Sequence, residues 1–178
     1  MLRAVGAVPC EVRRPADLDG LDGIVLPGGE STTMGKLLRI FDLLAPLRDL
    51  VASGLPTYGT CAGMILLAAE VVDGRDDQEL LGGLDITVRR NAFGSQVHSF
   101  EEDLTVTGVG DIHGVFIRAP WVERAGPSVD VLAMVGEHPV AVQQGHLLAT
   151  SFHPELTGSP AMHRYFVDTV MGDPGGQQ

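Results

Sequence analysis

Lysine is almost absent from this chain: Lys36 stands alone beside eleven arginines. We read that bias as genomic composition rather than function. The overall balance excludes more. At a net charge of −11 the chain lacks the basic stripe with which a nucleic-acid binder displaces counterions, so no nucleic-acid partner is expected. Cysteine is scarce too. Cys10 and Cys61 make no disulfide framework and no Cys-x-x-Cys pair. No two of the six histidines are spaced His-x-x-x-His, so neither a metal site nor a cofactor is expected. No apolar run is long enough to span a bilayer, and "MLRAVGAVPCEVRRP" has no signal-peptide core, so no membrane contact and a cytoplasmic location are expected. There are no repeats and no linker. What remains is a chain of 178 residues, 44% hydrophobic and 20% charged, which is neither a disordered nor a fibrous composition and can bury one sizeable core. A single domain is expected over residues 1–172, with a disordered tail at 173–178.

Periodicity supplies the organisation. "GIVLPGGESTT" reads as a buried strand entering a glycine turn, with Thr32 or Thr33 capping the helix that follows. "MGKLLRIFDLLAPLRDLVASG" has helical spacing, interrupted at Pro46 and ending at Gly54. "LPTYGT" is a second strand and "AGMILLAAEVV" a second helical stretch. This alternation implies an α/β fold with a mostly parallel sheet and helices on both faces. "LDITVRRNAF", "DLTVTG" and "GVFIRAPW" are strand-like runs. "VDVLAMVGEHPVAVQQGHLLATSFHPEL" reads as three strands joined by tight turns, an antiparallel section near the C-terminus, and "SPAMHRYFVDTVM" as an amphipathic helix. The opening is unusual for a doubly wound domain: "MLRAVGA" resembles the end of a helix and "VPCEVRR" a strand.

Three stretches carry chemistry. In "TYGTCAGMILLA", Cys61 occupies the central position of Gly-x-nucleophile-x-Gly, between Gly59 and Gly63. A strand turning sharply into a helix exposes such a residue at the carboxyl edge of the sheet. The helix start favours a thiolate, and the Ala62 N–H would face a developing oxyanion. The alternative is a buried structural cysteine. In "SFHPEL", Pro154 disfavours a helical conformation at His153. An extended segment would then project His153 and Glu155 from one side, as a base and its orienting carboxylate; the alternative is a turn with a capping histidine. "PGGES" follows a strand, so Gly29, Glu30 and Ser31 should lie at the same sheet edge, where a glycine amide could supply a second oxyanion donor. It is not a P-loop, because no Gly-Lys-Ser/Thr follows. Arg90 and Arg118 sit among apolar residues and need a carboxylate or carbonyl partner, either a charged substrate or an internal ion pair. The other histidines, His98, His113, His138, His146 and His163, are expected at the surface.

Taken together, "LPGGESTT", "YGTCAGMILLA", "RRNAFG", "GVFIRAPW" and "SFHPELTG" resemble the class I glutamine amidotransferases, a flavodoxin-like three-layer α/β fold. More narrowly they resemble the glutaminase subunits of pyridoxal 5′-phosphate synthases, over about Val8 to Met171. The resemblance implies hydrolysis of L-glutamine to L-glutamate and ammonia, with Cys61 as nucleophile, His153 as base and Glu155 orienting the imidazole. It implies an oxyanion hole at Gly29 and Ala62, and glutamine contacts at Gly29, Glu30, Ser31, Arg90, Ile117 and Arg118. Arg90 is preferred to Arg89 because it directly precedes Asn91. The implied partner is a synthase subunit that receives the ammonia for vitamin B6 synthesis.

The same resemblance sets one departure. Its members begin with a strand, a Leu-Gln-Gly turn and a helix ahead of the counterpart of "LRAVGA", so an internal start and an uncovered sheet edge are expected here. Two other functions stay open at this point. One is a docking subunit without glutaminase activity; the other is an amidotransferase glutaminase of a different pathway, or a γ-glutamyl hydrolase.

Overall fold

The computed structural model describes residues 1–75, 77–90, 92 and 99–172. The expected tail, His98, and the Asn91 and Phe93 of "LDITVRRNAF" lie outside them. A five-stranded sheet forms the middle layer, in the order β1 (Ile24–Leu26), β2 (Thr57–Thr60), β10 (Leu147–Thr150), β9 (His138–Gln144), β8 (Asp130–Val135). β1, β2 and β10 run parallel, and β9 and β8 extend the sheet antiparallel. The turns between β8, β9 and β10 contain Gly136 and Gly145, both at positive φ (58° and 54°), where an L side chain would be strained.

The central strands β2 and β10 are buried on both sides, and the sheet feeds two cores. Leu26, Val142, Leu147 and Ala149 join one core with the helices α1 (Ser31–Ile40), α2 (Leu44–Ala52) and α3 (Ala62–Leu67). Tyr58, Val140, Ala141 and Leu148 join the other, with the hairpin of β5 (Ser99–Val106) and β6 (Gly110–Ile117) and the helix α4 (Ala161–Tyr165). This is the period-2 pattern of a covered sheet. A small sheet, β3 (Ala68–Val72), β4 (Leu84–Arg89) and β7 (Trp121–Ala125), closes the first core. β1 is an edge strand, and an apolar cavity of about 1140 Å³ runs beside it, bounded by Leu2, residues 5–13, Leu37, Phe41, Phe166 and Met171.

Several local expectations are corrected. "VPCEVRR" forms no strand, since no ladder partner reaches it among the described residues. "AAEVV" is not helical: α3 ends at Leu67 and residues 68–72 are β3, drawn out by pairing with β4. The long helical stretch breaks at Phe41–Leu43, with Asp42 at φ 56°, and not at Pro46. Pro46 sits in the first turn of α2, where a backbone N–H has no helical acceptor to lose. α1 is capped by Glu30, whose carboxylate accepts from the N–H groups of Thr32 and Thr33 (3.1 and 2.7 Å); neither threonine is the cap. "GVFIRAPW" divides at Arg118 (φ 45°) between β6 and β7. The last helix is a short α4 followed by a wider π-type turn, Phe166–Val170. His163 is buried rather than at the surface, because α4 turns it into the second core. His138 and His146 are half-buried, the first stacked on Trp121 and the second bonded to the Val51 carbonyl.

Candidate active site

β2 and β10 are neighbours and parallel, with Thr60 opposite Thr150. The chain segments leaving their carboxyl ends therefore emerge side by side. From β2 comes Cys61, at φ 49° and ψ −101°, immediately before α3. A non-glycine residue in that conformation is strained and persists only where its surroundings force it. The forcing is steric. A Cβ at Gly63 would lie 2.2 Å from the Leu26 carbonyl oxygen, and one at Gly59 would lie 2.5 Å from the Gly63 carbonyl carbon. With both side chains absent, α3 seats directly against β1 and β2. The Cys61 N–H donates to the Thr150 carbonyl (2.7 Å), tying the turn to β10.

From β10 comes His153, whose N–H donates to the Val115 carbonyl of β6 (2.9 Å). Glu155 lies in a 3₁₀ turn, Pro154–Leu156, rather than in an extended segment. That turn brings its Oε1 to 2.9 Å from His153 Nδ1. Contact with the Cys61 thiol, and then with Glu155, lifts the His153 pKa to about 10 against the opposing effect of burial. Burial pushes the Glu155 carboxyl up, but its hydrogen bond with His153, a backbone hydrogen bond and the charges of the neighbouring imidazoles together outweigh this and hold it below its ordinary value. Gly28 makes room for the ring: a Cβ there would come within 2.4 Å of His153 Cε1.

A cavity of about 200 Å³ opens between these residues. Cys61, His153, Gly29, Glu30, Ser31, Arg90, Ile117 and Arg118 all line it, so eight residues chosen from the sequence meet at one place. Glu155 stands behind His153, and Ala62 is the first helical residue after the thiol; neither lines the cavity. Gly29 has φ +147°, a conformation open to glycine. Ile117 presents its carbonyl oxygen to the Cys61 thiol at 4.0 Å. Arg89 turns away to Asp73 and Glu123, whereas Arg90 donates to Glu30 Oε1 (2.8 Å) and to Thr32 Oγ1 (3.1 Å). The Glu30 carboxyl is held at about 2: burial opposes this, and the Thr33 hydroxyl with the Thr33 and Thr32 N–H groups outweighs it.

Sequence reasoning missed four residues here. Gln78 joins the wall by accepting from Ser31 Oγ (2.9 Å) and Thr32 Oγ1 (3.1 Å), and Ile65 and Gly28 pack at the thiol and the imidazole. Thr32 is the fourth: its hydroxyl joins Gln78 and Arg90, a role that a cap position does not suggest. The exposed polar loop around Gln78 carries no motif, but Ile65, one helical turn after Cys61, was within reach of the 3.6-residue period. Among the described residues, no group of three or more His, Cys, Asp or Glu could hold a metal ion, and no helix is long and apolar enough to cross a membrane.

A cysteine on a strained strand-to-helix turn, in contact with an imidazole that a carboxylate orients, is the equipment of an enzyme that attacks carbonyl carbon through sulfur. The chain belongs to the SNO glutamine amidotransferase family, whose model matches residues 1–172. It is 65% identical over 178 residues to the pyridoxal 5′-phosphate synthase subunit PdxT of Frankia alni, covering 99% of this chain and 89% of that protein. It is 61% identical to the subunit of the same name from Mycobacteroides abscessus, covering 95% and 88%. A crystal structure described as glutamine amidotransferase superposes with a TM-score of 0.90 at 52% identity, covering 96% of this chain and 90% of that one.

Proposed function

We propose that this chain is the glutaminase subunit of a pyridoxal 5′-phosphate synthase, hydrolysing L-glutamine to L-glutamate and ammonia and passing the ammonia on for vitamin B6 synthesis. Family membership together with the convergence of Cys61, His153 and Glu155 supports this reading. Cys61 sulfur attacks the side-chain carboxamide carbon, and His153 holds the thiol proton, with Glu155 fixing the ring through Nδ1. The N–H groups of Gly29 and Ala62 receive the oxyanion. His153 gives the proton to the departing nitrogen, and ammonia leaves. A water then loses its proton to His153 and adds to the thioester, releasing glutamate and restoring the thiol.

The substrate is a zwitterion at one end and an amide at the other. Glu30 offers a carboxylate to the α-ammonium, and Arg90 and Arg118 offer guanidinium groups to the α-carboxylate. Ser31 and Ile117 complete the pocket. The names of the relatives support a synthase subunit as protein partner. We assign residues 1–172 to one glutaminase domain and the protein to the cytoplasm. The test is glutamate release from glutamine, measured with a synthase subunit present. Cys61→Ala should abolish it; a variant that still releases glutamate at the unsubstituted rate would show that Cys61 is not the nucleophile.

A further inference from the structure

His163 has no part in the chemistry above, and no motif marked it. It is 6% exposed in α4, and its Nδ1 is a buried side-chain polar atom with no hydrogen-bond partner among the described residues. A buried polar atom left unpaired is unfavourable, and a phenyl ring would fill a similar space without that cost. Its neighbours give it a context. The ring packs edge-on against Tyr58, with centroids 5.6 Å apart and planes at 73°. Tyr58 is fully buried on β2, and its hydroxyl bonds Thr150 Oγ1 on β10 (3.1 Å).

Thr150 is where the two reacting strands are joined. Its carbonyl accepts from the Cys61 N–H (2.7 Å), and its Oγ1 donates to the carbonyl of Phe152 (3.4 Å), the residue before His153. A displaced Tyr58 would therefore reach both the nucleophile and the base. Three titratable groups face His163 from the elements packed on it: Tyr58 from β2, Glu155 from the 154–156 turn, and the α-amino group of Met1. Burial and the Met1 ammonium keep its pKa below the ordinary histidine value, against a weaker upward pull from Glu155.

We propose that His163 is a positioning residue for glutamine hydrolysis: packed on Tyr58, its ring holds the Tyr58–Thr150 strut that spaces Cys61 from His153. The inference rests on the glutaminase reading. It assigns the role to the ring and none to the unpaired nitrogen.

Glutamate release is measured with a synthase subunit present for H163L and H163F, as kcat and KM, alongside thermal unfolding. H163L fills much of the same space but gives Tyr58 no ring to pack on, so its kcat should fall about tenfold with KM within about twofold, as expected for misplaced reacting groups. H163F, the conservative variant, keeps an aromatic ring and removes the unpaired nitrogen; its melting temperature should equal or exceed that of the unsubstituted chain, and it should restore kcat to within about twofold. An H163L protein that folds with unchanged kcat overturns the proposal, as does an H163F protein that folds and is as impaired as H163L. If H163L does not fold, H163M takes its place with the same expectations; if H163F does not fold, H163L decides alone: a tenfold loss of kcat at constant KM supports the proposal, and unchanged kcat overturns it. Cys61→Ala run beside these keeps the two readings apart. Activity surviving there overturns the glutaminase reading, whereas an inactive Cys61→Ala with a fully active H163L removes only the role of His163.

Discussion

The two sides of the small cavity are held in place by opposite means. On the thiol side, position is set by exclusion: Gly59, Gly63 and Gly28 lie so close to backbone or to the His153 ring that no Cβ fits. On the substrate side, position is set by polar bonds, as Glu30, Arg90, Thr32, Ser31 and Gln78 satisfy one another across three separate chain segments. Close packing has no soft response, because a methyl group placed against backbone must move backbone. A hydrogen-bonded wall in an open cavity can lose one member and admit water. The thiol side should therefore fail abruptly on substitution and the substrate side by degrees.

The largest effect is expected at Gly63. Gly63→Ala sets a Cβ 2.2 Å from the Leu26 carbonyl oxygen, forcing α3 off β1. Urea unfolding should show a loss of about 3 kcal/mol, the upper end of overpacking costs, with activity lost alongside. An unchanged unfolding midpoint would mean that α3 is not seated as described. Gly28→Ala should divide stability from activity. The atom it meets is His153 Cε1, in a ring that can rotate, so the melting temperature should change little. A base displaced by about 1 Å should nonetheless cost about a hundredfold in kcat. Equal kcat in the two proteins would show that the ring has another place to sit.

This contrast also marks what the sequence made legible. The exclusion side was readable, since glycines flanking a cysteine between a strand and a helix leave few geometries, and the parallel strands follow from the alternation of elements. The His-Pro-Glu tripeptide pointed to a histidine and carboxylate pair, although the pair forms across a 3₁₀ turn and not along an extended chain. The polar wall was half legible. Glu30, Ser31 and Arg90 came from the family resemblance, whereas Gln78, from a loop 47 residues after Ser31, left no local signal because it is recruited by tertiary contact alone. The β3 strand was misread for a similar reason. Ala68–Val72 carries an apolar pattern short enough for either state, and pairing with β4 decides it. The capping error at Thr32 and Thr33 has a different origin: a glutamate at the cap position reaches both N–H groups, and cap preferences put threonine ahead of it.

Between the two sides lies His153, and its titration measures how firmly they are joined. Its folded pKa of about 10 lies above the ordinary 6.5. The associated stabilisation is therefore complete below about pH 6.5 and is lost as the pH rises through 10. Contact with Cys61 is the larger cause and Glu155 the next. Following the ring by NMR, Cys61→Ala should bring the midpoint down further than Glu155→Gln does, and both should fall toward the ordinary value. The reverse order would mean that Glu155, not the thiol, governs the ring.

Glu30→Ala tests the softer side. It removes the α1 cap and frees Arg90 from its 2.8 Å partner. Losing the cap should cost about 1 kcal/mol near neutral pH, and KM for glutamine should rise more than kcat falls. Because the Glu30 carboxyl is held at about 2, below its ordinary 4.5, its contribution is present above pH 4.5 and vanishes as the pH falls toward 2. Unfolding curves of the two proteins should converge over that interval. A constant gap would assign the effect to packing rather than to the carboxylate.

Gln78→Ala should be the mildest. Gln78 Oε1 accepts from Ser31 Oγ and Thr32 Oγ1, and its Nε2 donates to the carbonyls of Ser31 (3.3 Å) and Glu79 (2.8 Å). The site lies at an open cavity, so water can take over these bonds and the net loss should be about 0.5 kcal/mol, the low end for a hydrogen bond. Arg90 keeps Glu30, so glutamine should still bind, with KM raised only about twofold. Gln78→Glu sharpens the reading. It keeps an acceptor for both hydroxyls, loses both donors to the carbonyls, and adds a negative charge near Arg90 and Glu30. If the wall is held mainly by acceptors around Ser31 and Thr32, Gln78→Glu should match or exceed Gln78→Ala in stability. If Gln78→Glu is the weaker protein, the donors lost to the Ser31 and Glu79 carbonyls, with the charge added beside Glu30, outweigh the hydroxyl bonds, and the wall is not held by acceptors alone.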